Sequence, residues 1–350
     1  MIPEPFTPYH KLMKRNRRSI TIQDVAKAAG VSVSTVSRVL NDKVDVAVET
    51  YEKVQKVILE LGYASSLAAR GMRSHRTNVI GAIIPDVISP YCIEVLRGVN
   101  QTIAQLDYDL LIYTNGDIQR TGTDEHERQY VNFLNGSITD GVIVIAAAAT
   151  SFLTDAPLVI VDPNVEIPVY PAIISTNYEG ALEVMRYLIG LGHCRIAHIT
   201  GRLGLLSARQ RLQGYRDGLA EAGIPIDPQL IQISDYTIDT AAECARRLLT
   251  LKDPPTAIFA ANDMSAMGVY QAAKEAGVRI PENLSVVGFD NIREASFLNP
   301  ALTTVDQSIM EMGVIATEMV LKLVEGETLE SDQVKIQTRL VVRDSCRPLH

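Results

Sequence analysis

In this 350-residue chain, the residues able to do chemistry gather at the carboxyl ends of short apolar runs. Asp86 follows IGAIIP, Asp162 follows LVIV, Asn262 and Asp263 follow AIFAA, and Asp290 follows LSVVGF. Carboxylates and amides delivered this way, with an arginine and an aromatic ring, suit a polyhydroxylated ligand, because carboxylate and guanidinium each engage neighbouring hydroxyls. The same acids also cap helices and turns, so position alone leaves both roles open. Catalysis finds little support: there is no G-x-S-x-G elbow, no G-x-x-x-x-G-K-[ST] loop and no H-E-x-x-H pair. No catalytic residue, cofactor or metal is expected. Gly201 and Gly204 make half of a dinucleotide fingerprint, and His193 and His198 read as structural rather than as metal ligands. Cys92, Cys194, Cys244 and Cys346 are far apart with no C-x-x-C pair, which excludes a disulfide scaffold and suits a reducing cytosol.

The elements that must position these groups are apolar runs alternating with helical patterns from Thr77 onward. The runs are Val79–Ile84, Tyr108–Tyr113, Gly141–Ile145, Leu158–Val161, Arg195–Ile199, Leu230–Ile233, Ala257–Ala260 and Leu284–Phe289. Helix-length segments such as Tyr91–Leu106, Gly180–Leu191, Ser207–Ala222 and Ala266–Ala276 separate them. Repeated βα units of this kind predict doubly wound parallel sheets, whose ligands bind beyond the carboxyl ends of the strands. Roughly 270 residues exceed one comfortable core, so two lobes are expected, with a site between them. The longest strictly apolar stretch, Val142–Ala149, is far short of the ~20 residues that span a bilayer, so no membrane role is expected.

The formal net charge of -8 conceals an asymmetry. Up to Asn78 the chain holds 13 basic and 7 acidic residues, a balance of +6, which leaves -14 on the remainder. A basic head on an acidic body points to a head that meets phosphate. Within the head, TIQDVAKAAGVSVSTVSRVLN (Thr21–Asn41) has the pattern of a helix-turn-helix. Thr21 caps a first helix with Val25, Ala26 and Ala29 inward, and Gly30 makes the turn. Ser32 caps a second helix with Val36, Val39 and Leu40 inward, leaving Val33, Ser34 and Ser37 or Arg38 to face elsewhere. Such a helix fits the major groove. The plain alternative is a small helical bundle with a polar face.

The head sequence, followed by TYEKVQKVILELGY and LAARGMRSHRTNVIGAIIPD, resembles the N-terminal signature of the lactose-repressor (LacI/GalR) family of bacterial transcription regulators. The resemblance continues through PDVISPY, LGHCRIAHITG, RLQGYRDGL, AIFAANDMSAMG, RIPENLSVVGFDN and PALTTVDQ. It implies that Val33, Ser34 and Arg38 face bases, with Arg38 suited to bidentate contact with guanine. It likewise implies that Thr21, Ser32, Thr35, Ser37 and Asn41 hold phosphates. Ser66–Arg73 takes the place of the family's hinge helix, with Ala69 and Met72 on the DNA. Met72 replaces the leucine that wedges the minor groove, and Ser65-Ser66 replaces the usual Pro-Asn. For the effector, the resemblance points to Asp162, Leu205, Ser207, Arg211, Tyr236, Asn262 and Asp290, with Tyr91 near the mouth of the cleft. Asp86 is added from its strand-end position. Leu205 departs from the polar residue often found there, and with no tryptophan in the chain, stacking falls to Tyr236.

The expected fold is therefore a small all-α helix-turn-helix head plus an α/β body of two doubly wound parallel-sheet lobes, similar to periplasmic binding proteins. The expected boundaries are 1–18 for a basic arm, 19–63 for the head and 64–77 for the hinge. One lobe takes 78–176 and 307–333, the other 177–306 and 334–347. The expected function is that of a cytoplasmic homodimeric repressor of carbohydrate genes. It binds a pseudopalindromic double-stranded operator and is controlled allosterically by a sugar. A nucleobase or nucleoside effector, a corepressor mode, and a solute-binding protein without DNA are the alternatives. The first 18 residues lack the apolar core of a secretory signal, and the C-terminus lacks a leucine heptad, which favours a dimer over a tetramer.

Overall fold

The computed structural model describes residues 20–40, 45–63, 76–114, 123–134 and 138–349. The expectations for the arm, for Asn41 and for Ala69 and Met72 in the hinge lie outside these residues. The chain divides into two units, Met1–Arg73 and Ser74–His350.

The head is built on three helices, α1 (Ile22–Ala29), α2 (Val33–Leu40) and α3 (Val48–Leu61). Thr21 starts α1 with a reciprocal box: its N–H and hydroxyl donate to Asp24 Oδ2 at 2.8 and 2.7 Å, and its Oγ1 accepts the Asp24 N–H. Gly30 ends the helix at φ 65°, a left-handed conformation that glycine adopts without a Cβ penalty. Ser32 Oγ then accepts the Thr35 N–H at 3.1 Å and opens α2. Val25, Ala26, Ala29, Val36, Val39 and Val54 form the core on which the three helices close. Leu40 is only half-buried, at the edge of that core.

The body contains two parallel sheets. The first is ordered β11-β5-β4-β3-β1-β2, from β1 (Val79–Ile84), β2 (Asp109–Thr114), β3 (Gly141–Ile145), β4 (Leu158–Val161), β5 (Ala172–Ser175) and β11 (Gln333–Ile336). Helices α4 (Pro90–Ile103) and α10 (Ile309–Glu325) cover one face, where Ile80, Val95, Val99, Ile143, Met312 and Val320 interdigitate. Helix α5 (Thr123–Leu134) packs on the other face. β1, β3 and β4 are buried along their whole length, as expected of strands with both faces covered. The second sheet is ordered β7-β6-β8-β9, from β6 (Ile196–Thr200), β7 (Ile231–Ile233), β8 (Ala257–Ala260) and β9 (Ser285–Val287). It lies between α6 (Asn177–Gly190) with α7 (Leu206–Glu221) and α8 (Ile238–Leu249) with α9 (Asp263–Glu275).

Two features depart from the sequence expectation. A short antiparallel pair, β10 (Thr304–Asp306) with β12 (Arg339–Val341), accompanies the parallel sheets. The last crossing between lobes also falls later than 333–334. β11 pairs with β5 in register from Gln333 to Ile336, so the first lobe keeps the chain through Ile336 because those ladder hydrogen bonds complete its edge. The chain thus crosses between lobes at Thr176, at Gln307–Ser308 and after Ile336. Thr176 and Thr338, on the first and third crossings, are linked through their hydroxyls at 3.0 Å and through the Thr338 N–H to Thr176 Oγ1 at 2.9 Å.

Candidate functional site

A cavity of about 150 Å³ opens at the carboxyl ends of the strands of both lobes. Asp162 follows β4, Tyr236 follows β7, Asn262 follows β8 and Asp290 follows β9, while Ser207 and Arg211 lie one turn apart on α7. Tyr91 enters from the start of α4 and Leu205 from the residue before α7. Three of the strand-end residues, Asp162, Tyr236 and Asp290, have positive φ (56°, 74° and 114°), as does Ala146 on the same wall at 51°. Backbone conformations disfavoured for side chains with a Cβ persist where the surroundings hold them, commonly at binding sites.

Arg211 organises the floor. Its Nε donates to Asn177 Oδ1 at 2.8 Å and Nη1 to the Ala261 carbonyl, while the guanidinium lies 3.8 Å from the centre of the Phe289 ring. Nη1 is also 3.6 Å from Asp290 Oδ1, which accepts from Gln307 Nε2 at 2.6 Å. Burial pushes the Asp290 carboxyl up to about 7, against the lowering effect of Arg211, and the Asp162 charge adds to the rise. Asp162 is raised in the same direction by lost solvation, countered by Arg211 and by a hydrogen bond from Ser207. The Tyr236 ring lies against Gly201, where any Cβ would come within 2.0 Å of Cζ, so only glycine fits beneath it. The buried Tyr236 hydroxyl makes no hydrogen bond of normal geometry. A polar atom left this way on a cavity wall is a ready contact for a ligand.

The cavity gathers seven of the eight expected effector residues, Tyr91, Asp162, Ser207, Arg211, Tyr236, Asn262 and Asp290, along with Leu205. Asp86 is not part of its lining. Its Oδ1 accepts the Ile88 N–H at 2.9 Å, so the carboxylate closes its own turn instead of facing the cleft. Asn262 does double duty, lining the cavity while Oδ1 caps α9 through the Ser265 N–H at 2.8 Å. Asp263 is buried and structural, accepting from the Ile292 N–H at 2.9 Å and from the Thr304 hydroxyl. His193 bridges Thr256 and Ser285, and His198 stacks between Tyr215 and Phe259 in the core. Two charged wall residues escaped the sequence reading. Arg202 stands two residues beyond β6, where the strand-end rule would have found it. Glu127 comes from α5, where nothing local marks it. Its carboxylate accepts the N–H groups of Ala148 (3.0 Å) and Ala149 (2.8 Å), fixing the loop that forms the wall.

On the head, the first two turns of α2 present Val33, Ser34 and Arg38 outward, with Val33 42% exposed despite its apolar side chain. Ser32 Oγ lies within hydrogen-bond distance of Ser34 Oγ (2.7 Å) and Thr35 Oγ1 (2.8 Å), forming a band of hydroxyls beside that face. Thr21 is exposed and Ser37 half-buried. Arg38 Nη1 pairs with Asp45 at 3.0 Å.

The model of bacterial regulatory proteins of the lacI family matches residues 21–66, and that of the periplasmic binding protein-like domain matches residues 185–346. The HTH-type transcriptional repressor PurR of Vibrio atlanticus (strain LGP32) is 34% identical over 94% of this chain and 99% of its own. The chain belongs to the lacI family of bacterial regulatory proteins. Two solved structures of transcription regulators are similar to it. The lac repressor dimer bound to operator and the anti-inducer ONPF superposes with a TM-score of 0.79 at 27% identity, covering 94% of this chain and 100% of that one. The transcriptional regulator CelR in complex with cellobiose superposes at 0.66 and 28% identity, covering 93% and 99%. As a lacI-family member the chain is a DNA-binding transcriptional repressor, and its family is one of regulators rather than enzymes. No helix among the described residues is long and apolar enough to cross a membrane.

Proposed function

We propose that this repressor senses a sugar in the interlobe cavity and thereby controls genes of carbohydrate metabolism. The observation that carries the reading is the cavity wall itself. Two carboxylates, Asp162 and Asp290, flank one guanidinium, Arg211, with the Ser207 hydroxyl, the Asn262 amide and a single Tyr236 face around them. That set offers alternating acceptors and donors to a ring of hydroxyls, and an apolar face to the ring's C–H side. The cellobiose complex of CelR accords with it.

In this reading the protein works as a cytoplasmic homodimer on a pseudopalindromic operator, with Val33, Ser34 and Arg38 reading bases. Thr21, Ser32, Thr35 and Ser37 hold phosphates. Effector binding favours one arrangement of the lobes and so changes operator affinity through a coupling free energy. Thermal unfolding of the full chain against monosaccharides, disaccharides, polyols and purines tests the assignment. A true effector at a hundredfold excess over its Kd stabilises the folded state by ~2.7 kcal/mol. A melting point that moves with purines alone would replace the sugar with a nucleobase.

A further inference from the structure

Helix α2 divides its valines between two environments. Val36 and Val39 are buried against Val25, Ala26, Ala29 and Val54, whereas Val33, the first residue of the helix, stays outside that core and 42% exposed. At ~100° of turn per residue, Val33, Ser37, Ser34 and Arg38 share an arc of ~140° that leaves Val36 and Val39 on the other side. Exposure alone decides nothing, since Val48 and Leu59 on α3 are more exposed still. What sets Val33 apart is its place at the amino end of the second helix of a helix-turn-helix, the end whose side chains reach base edges in the major groove. The first turn of that helix, Val33 to Val36, carries no long side chain that would hold the backbone off the groove floor. The Ser34 hydroxyl beside it lies 2.7 Å from Ser32 Oγ, within the band of hydroxyls at the helix start.

A valine side chain offers neither donor nor acceptor. Of the groups that the four bases present in the major groove, the C5 methyl of thymine is the apolar one. Covering a polar base edge with valine strips its water and returns no hydrogen bond. We infer that Val33 reads the C5 methyl of a thymine in each operator half-site, so that one position of the operator is recognised by apolar contact instead of by hydrogen bonding. This rests on the reading of α2 as the base-facing helix.

The test begins with a duplex enriched from a random-sequence pool by the full-length chain, with and without the sugars and purines of the thermal screen. Each thymine of its half-sites is then replaced in turn, symmetrically, by deoxyuridine, which keeps the pairing edge and lacks only the methyl. Fluorescence anisotropy compares the wild type with Val33→Ala, a change at an exposed helix start that favours helix and so keeps the head folded, as thermal unfolding of the variant checks. The expected result is one thymine at which deoxyuridine weakens wild-type binding by about fourfold per half-site, the loss of one buried methyl, and Val33→Ala binding by less than about 1.5-fold. A half-site without such a thymine overturns the inference. So does a penalty equal in both proteins, because the methyl then acts through DNA shape or another side chain. If Val33→Ala changes the enriched sequence at a position where no thymine methyl matters, the inference fails while the base-facing reading of α2 stands. If Val33→Ala leaves both affinity and enriched sequence unchanged, or no sequence is enriched at all, that reading fails and the inference falls with it.

Discussion

The exposed face of α2 in the head and the cavity of the body each hold an arginine against an aspartate, under opposite conditions. Arg38 and Asp45 meet at 3.0 Å with 60% and 58% of their side chains exposed, whereas Arg211 and Asp290 stand 3.6 Å apart with 5% and 6% exposed. At the surface, water solvates both partners whether or not they touch, and such a pair contributes at most about 1 kcal/mol. Giving up that pair for another partner therefore costs Arg38 little. In the cavity neither partner has water to return to, so each depends on the other and on Asn177, Gln307 and the Ala261 carbonyl. The head keeps its pair clear of its core, while the body seals its pair inside.

The largest expected effect tests that dependence. Arg211→Ala strands Asp290 and Asp162 and should remove about 3 to 5 kcal/mol from the body's unfolding transition in denaturant. A loss below about 1 kcal/mol would show that the cavity tolerates unpaired charge and would break the contrast with the head.

Next comes pH. The Asp290 carboxyl is held at about 7 in the folded chain, above its ordinary value near 3.9, so the folded state binds the extra proton. Its favourable contribution is complete below the ordinary value and is lost as pH rises through about 7. The melting point should fall by on the order of a few degrees between pH 5 and 8. Asp290→Asn should flatten that slope, and an unaltered slope would place the titrating group elsewhere.

The smallest stability effect belongs to the head. Arg38→Ala should leave unfolding within about 0.5 kcal/mol of the wild type, yet weaken a selected operator by about 1 to 3 kcal/mol, roughly 5- to 150-fold. Fluorescence anisotropy beside thermal unfolding reads both quantities. A melting point that drops while operator affinity holds would assign Arg38 to the scaffold.

Strands whose two faces are both covered were the most legible elements. β1, β3, β4 and β8 match the apolar runs residue for residue, because a run of valine and isoleucine bounded by glycine, proline or aspartate has few other uses. β5, β10, β11 and β12 are three or four residues long and exist through partners far away in sequence, so no local pattern marks them. The helix-turn-helix was legible down to its caps, since Thr21, Gly30 and Ser32 act within a few residues of themselves. In the cavity, the strand-end rule found Asp162, Asn262 and Asp290 but failed at Asp86. It fixes where a residue sits, not whether its carboxylate turns to the cleft or to its own backbone. Glu127 was invisible because α5 alone brings it to the wall.

The triple passage of the chain between lobes has a mechanical meaning. Two bodies joined by a single thread turn freely, whereas bodies joined by three short tethers retain little more than a bend about a line through them. Here the first and third tethers are bolted together at Thr176 and Thr338, and the second is pinned where Gln307 grips Asp290. The motion such a joint leaves open is a bend about that line as axis, and Asp290 lies beside the second tether. If a ligand seats against Asp290, it pushes close to that axis, where a small displacement becomes a larger one at the far edges of each lobe.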